Sequence, residues 1–133
     1  MTAKTIEELQ VYQKSLTAAD AILAMLQRDT FRDDFDLRRQ LSKGARRIPS
    51  DIAEGFEQKT DSHFAHYLYI ARGAARELCA QLTVAQRRSL ISESEREGIE
   101  KRYDEIARML TGLIKYLERS DRKNRFRPIG ADD

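Results

Sequence analysis

The chain has 133 residues, enough for one domain with a single hydrophobic core. Hydrophobic residues make up 41% and charged residues 35%, with two prolines, six glycines and no tryptophan, a balance that favours helices over tightly turned sheets. The formal net charge of +2 excludes a global basic field, the single cysteine excludes an intramolecular disulfide framework, and no run approaches the ~20 apolar residues of a membrane span.

The start, Met1 to Lys4, is not followed by an apolar stretch, so no secretory signal is expected. Lone Cys79 fits a reducing compartment. Both observations point to the cytoplasm and away from a membrane.

A first helix is predicted from about Ile6 to Arg28. Leu9, Tyr12, Leu16, Ala19, Leu23 and Leu26 recur at spacings of three and four, the seam of a bundle helix. Val11, Ala18, Ile22 and Met25 form a second apolar row, which widens the apolar arc to about 200°, against about 100° for a simple surface helix. The helix is either wedged deep between neighbours or carries a contact surface for another subunit; in the second case Val11, Ile22 and Met25 would be partly exposed in a monomer.

The second helix is predicted to begin at Asp34 to Asp36, whose carboxylates suit an N-terminal turn. Leu37, Leu41, Ala45, Ile48, Ile52 and Phe56 share one face. Pro49 lies inside this pattern, where a missing amide and a clash with the carbonyl four residues back cost about 3 kcal/mol, so a kink is expected there. Ser50, Asp51 and Glu54 are read as residues that satisfy the backbone groups freed by Pro49, and Gly55 as the start of the fraying end.

Ser62 is the predicted N-cap of a third helix reaching about Arg87, with Phe64, Tyr67, Leu68, Ala71, Ala75, Leu78 and Leu82 buried. Gly73, among Ala71, Ala74 and Ala75, suggests close approach of another backbone. Ser92 and Glu95 form a capping-box pattern for a fourth helix, with Ile99, Tyr103, Ile106, Leu110, Leu113 and Leu117 as its seam. Residues 1–119 are thus expected to form an all-α, antiparallel up-down-up-down four-helix bundle. Residues 120–133 are expected to be a flexible basic tail.

Little here suggests catalysis. His63 and His66 are one turn apart, but the chain has no Glu-x-x-His pair, so no metal or other cofactor is expected. There is no glycine-rich phosphate loop, nucleophile elbow or dinucleotide fingerprint, and Cys79 sits on an apolar face as a small hydrophobe. The basic residues are more suggestive. Arg39, Lys43, Arg46 and Arg47, with Arg38 nearby, line the outer face of the first half of the second helix, and Arg72 and Arg76 are a turn apart on the third. Such cations are either a solvated face or a phosphate-binding surface, which needs only positive charges spaced along a rigid element. Arg47 is also placed to pair with Asp51.

The segment Ile48-Pro49-Ser50-Asp51-Ile52-Ala53-Glu54-Gly55 resembles the most recognisable stretch of the bacterial 23S rRNA intervening-sequence proteins, also called four-helix bundle proteins. The likeness continues from Ser62 to Leu78, through Gln81 and Leu82, and again from Ala107 to Lys115, with a weaker echo from Leu9 to Lys14. The resemblance implies a four-helix bundle that assembles into five-subunit rings, with reading frames lying within intervening sequences of ribosomal RNA genes. The fold is also similar to accessory variability proteins of diversity-generating retroelements, which partner a reverse transcriptase and bind nucleic acid. The expected function is therefore a non-catalytic, homo-oligomeric bundle that binds RNA or DNA through Arg39, Lys43, Arg46, Arg72 and Arg76. The alternatives are a retroelement accessory role with a reverse transcriptase as partner, and a protein–protein scaffold without nucleic-acid binding.

Overall fold

A computed structural model of the protein describes residues 3–124, with side chains as far as residue 120. Four helices account for most of it: α1 (Gln10–Met25), α2 (Phe35–Phe56), α3 (Asp61–Arg87) and α4 (Glu93–Asn124). Short 3₁₀ turns at Ile6–Glu8 and Asp29–Phe31 flank α1, and no strand occurs among the described residues. Each helix packs on two others, α1 on α2 and α4, and α3 on α2 and α4. Short connections between successive helices give the antiparallel four-helix bundle expected from the sequence.

The first helix is shorter than its periodicity suggests. Leu9 has extended backbone angles, φ −78° and ψ 114°, which separate the Ile6–Glu8 turn from α1. After Met25 the chain tightens into the second 3₁₀ turn, whose Phe31 is fully buried and anchors the α1–α2 connection.

The second apolar row of α1 is not the exposed contact surface that one reading allowed, and the seam row is divided, with Leu9, Ala19 and Leu26 buried. Val11, Ala18, Ile22 and Met25 are all inside the core. Leu16, from the seam, is 36% exposed, and Tyr12 and Leu23 are half-buried. Both rows have helical spacing, and the packing of α2 and α4 on α1 decides which residues of each turn inward.

In α2 the buried face is Leu37, Leu41, Ala45, Ile48, Ile52 and Gly55, as the 3.6-residue period requires. The helix runs on through Pro49, which is itself buried. Phe56 is half-buried and meets Phe64 edge-on, with ring centroids 6.0 Å apart. Asp34 precedes the helix but does not cap it through its side chain. Its carboxylate instead receives Arg88 Nη1 at 2.8 Å, tying the α3–α4 connection to the start of α2.

The N-cap of α3 is Thr60 and not Ser62: Thr60 Oγ1 accepts the His63 amide at 3.2 Å, and Ser62 already lies within the first turn. Gly73 also departs from expectation. A Cβ there would meet nothing within 4 Å, so no tight packing explains it. The close approach is at Gly55, where a Cβ would stand 2.8 Å from Tyr67 Cβ and 2.9 Å from Phe64 Cδ1.

α3 ends in a Schellman arrangement. Ser89 has φ 61°, its amide donates to the Gln86 carbonyl at 2.9 Å, and the Leu90 amide reaches the Ala85 carbonyl at 2.9 Å. The capping box of α4 is half formed. Glu95 N donates to Ser92 Oγ at 3.1 Å, while the Glu95 carboxylate turns away to hold both Nη atoms of Arg28 beyond α1. On α4, Ile99, Tyr103, Ile106, Leu110 and Leu117 are buried as expected, with Ile114 deeper than Leu113. The helix continues to Asn124, past the expected boundary at Arg119; the remainder of the expected tail, with Arg125 and Arg127, lies outside the described residues.

Candidate nucleic-acid interface

Arg39, Lys43 and Arg46 recur at spacings of four and three, so their side chains stack along one face of α2, opposite the buried Leu41–Ala45–Ile48 row. All three are exposed. Arg39, Ser42, Lys43, Arg46, Arg47 and Ser50 line a shallow depression of about 420 Å³. Two carboxylates pair with cations of this depression. Asp36 approaches Arg39 at 3.6 Å, but both side chains are more than three-quarters exposed, so the pair contributes little and leaves the guanidinium free to exchange partners. Asp51 accepts from Arg47 Nε at 3.3 Å, as the sequence spacing suggested. Among the described residues no carboxylate pairs with Arg38, Lys43 or Arg46.

Arg72 and Arg76 do not join this face. Arg72 is half-buried on the side of α3 that meets α4. Its Nη1 donates to Thr111 Oγ1 at 3.0 Å, and its guanidinium carbon lies 4.8 Å from the centroid of the Tyr69 ring. Thr111 Oγ1 in turn donates to the Ala107 carbonyl, and Tyr69 Oη donates to Glu118 at 2.7 Å, so Arg72 is built into a polar clasp between the helices. Arg76, one turn on, is exposed beside it. The five basic residues named from sequence therefore divide into an open α2 stripe and an α3 edge whose first member is engaged.

The α2–α3 groove separates the two groups. It is lined by Gln40, Lys43 and Arg47 from α2 and by Glu77, Leu78 and Gln81 from α3, so an acid is set beside two of the cations. On the opposite flank, between the end of α1 and the start of α2, lies a groove of about 340 Å³ that sequence reasoning missed. Arg38, Arg39 and Arg46 line it together with Leu23, Gln27 and Phe35, and Phe35 is 74% exposed. One signal for it was available: Phe35 falls off the Leu37–Leu41–Ala45 row and on the row of Arg39, Ser42 and Arg46.

The Pro49 motif is divided between core and surface. Ile52 is fully buried, and Pro49 and Gly55 are buried with it. Ser50 and Glu54 point outward. Asp51 engages Arg47 and not the Ala45 carbonyl that Pro49 leaves without its usual donor; burial pushes its carboxyl above the ordinary range, against the opposing pull of Arg47. His63 and His66 are exposed, and among the described residues no three histidine, cysteine or acidic side chains gather to hold a metal. Cys79 is half-buried; desolvation, helped by Glu100 and Asp104, pushes its thiol up to about 11, the opposite of an activated nucleophile. Among the described residues no helix is long and apolar enough to cross a membrane.

The arrangement is that of an antiparallel helical bundle with a cationic stripe along one outer helix. A family model described as 23S rRNA-intervening sequence protein matches residues 7–112, and the chain belongs to that family. The fold is also similar to the crystal structure of a protein of unknown function from the S23 ribosomal protein family of Bacteroides thetaiotaomicron VPI-5482. The two align with a TM-score of 0.72 and 24% identity over 79% of this chain and 95% of that one. No curated protein matches the chain.

Proposed function

We propose that this is a non-catalytic, self-associating protein of the cytoplasm that binds the phosphate backbone of RNA or DNA through the α2 stripe. The observation that carries this reading is the row Arg39–Lys43–Arg46, exposed on a rigid helix, with Asp36 the one carboxylate among the described residues that bridges to it, and weakly. Phosphate recognition asks for little else, and it confers orientation without reading sequence. Family membership adds a link to ribosomal RNA through the family's name. Arg72 contributes to the α3–α4 clasp and not to the binding face, which departs from the grouping made on sequence alone.

Self-association enters because one cationic stripe per bundle is a weak site. Several copies repeat it and multiply contacts into avidity. Exposed Leu16, with Tyr12 and Leu23 half-buried on the same side of α1, supplies apolar surface for that contact.

The test is direct. Purified protein is titrated into a fluorescent structured RNA and a DNA duplex at low and moderate salt. Micromolar or tighter binding at low salt that weakens steeply with added salt and depends little on sequence is the expected result. Absence of binding at low salt would favour the protein-scaffold reading, and a reverse-transcriptase gene beside this one would favour the retroelement role.

A further inference from the structure

Among the described residues Phe35 is the most exposed of the large apolar side chains, at 74%. It opens α2 and shares a groove of about 340 Å³ with Arg38, Arg39 and Arg46. That groove runs into the depression lined by Lys43 and Arg47, because Arg39, Ser42 and Arg46 border both. From Phe35 to Arg46 the helix rises about 16 Å at 1.5 Å per residue, the length of a few nucleotides of extended strand. One end of the trough is therefore an aromatic face, and the rest is cationic.

We infer that the α1–α2 groove selects unpaired, single-stranded nucleic acid, with a base stacked on the Phe35 ring and the following phosphates held by Arg38, Arg39 and Arg46. The inference rests on the proposed phosphate-binding role of the α2 stripe and assigns it a substrate class. Charge complementarity favours this occupant over an apolar protein segment: three guanidinium groups rim the groove, and its apolar contribution is Leu23, Leu26 and the Phe35 ring. Asp36 is the nearby opposing charge, and its pairing with Arg39 is loose at 3.6 Å. A duplex keeps its bases stacked inside, so it can use the arginines but not the ring. A single strand can use both, since every base has a π-face and stacking on an aromatic side chain is sequence-tolerant.

The chain contains no tryptophan, so the Phe35→Trp protein carries a sole indole at the site. Titration with a short unpaired oligoribonucleotide should quench that fluorescence, and a duplex of equal charge should not. In anisotropy measurements, Phe35→Ala should weaken the single strand roughly tenfold, the loss of one stacked base, while duplex affinity stays within twofold. Phe35→Tyr should restore single-strand binding. If Phe35→Ala weakens both ligands equally, or neither, stacking is wrong while the cationic stripe stands. If Arg39→Ala/Lys43→Ala/Arg46→Ala leaves binding of both ligands intact, the stripe itself fails and the inference falls with it. If Phe35→Ala instead lowers the molecular mass in light scattering, the ring is covered by a second copy of the chain and the inference is overturned. Circular dichroism on each variant separates these outcomes from unfolding.

Discussion

Gly55 of α2 and Tyr67 of α3 approach so closely that a Cβ on the glycine would stand 2.8 Å from the tyrosine Cβ. Both atoms belong to stiff parts of the chain, so relief requires the helices to move apart. Gly55→Ala is expected to destabilise the fold by about 1–3 kcal/mol, the usual cost of overpacking. Gly73→Ala is the matched control, because a Cβ there meets nothing within 4 Å. It should stabilise by about 0.5–1 kcal/mol through helix propensity. Urea unfolding of the two variants checks the opposite signs.

Tyr103 is 1% exposed, and its hydroxyl has no hydrogen-bond partner among the described residues. An unpartnered buried hydroxyl carries a desolvation cost with no return, and burial also pushes its ionisation well above the usual range. Tyr103→Phe keeps the ring and removes the orphan. It should leave stability unchanged or raise it by up to about 1 kcal/mol, whereas a loss above that would reveal a partner for the hydroxyl.

The alkaline behaviour of the protein should report Cys79. Burial holds its thiol near 11 in the fold, against 9.0 ordinarily. Between these values the unfolded chain has released a proton that the folded chain still binds, so stability is intact below about pH 9 and falls as pH rises toward 11. Cys79→Ala should lack that part of the decline. Alkylation of folded Cys79 at about pH 8 should be roughly a hundredfold slower than for a free thiol, from the thiolate fraction alone. Rapid labelling at neutral pH would contradict the burial.

Self-association should depend on the outward row of α1. Leu16→Glu places a charge on a residue already 36% exposed and should lower the mass seen by light scattering while the helical signal is kept. Ile22→Glu buries a charge at a position with no exposure and should unfold the protein. A wild-type mass of 15.4 kDa at high concentration would remove self-association altogether.

The helices and most of their buried faces were legible because Leu37, Leu41, Ala45, Ile48 and Ile52 obey one period and are interrupted by charge elsewhere. α1 was not, since Val11–Ile22 and Leu16–Leu23 both satisfy helical spacing and the outcome is set by neighbouring helices. Gly73 and Gly55 likewise look alike in sequence, and only the partner atoms distinguish them. The basic residues of α2 were legible as a face because they share one helix. The engagement of Arg72 was not legible, because Thr111 lies on another helix and no local pattern announces that contact.

In the proposed function α2, and not the α3 edge, carries the phosphate contacts. The salt dependence of RNA binding measures this most directly, because each phosphate neutralised adds about 0.7–0.9 to the slope of log affinity against log salt. For Arg39→Ala/Lys43→Ala/Arg46→Ala the slope should shrink by about 2–3 and affinity should fall, whereas Arg72→Ala/Arg76→Ala should lose at most about 1, from exposed Arg76. An unchanged slope in the α2 variant, or a larger loss from the α3 pair, would place the phosphate contacts elsewhere than α2.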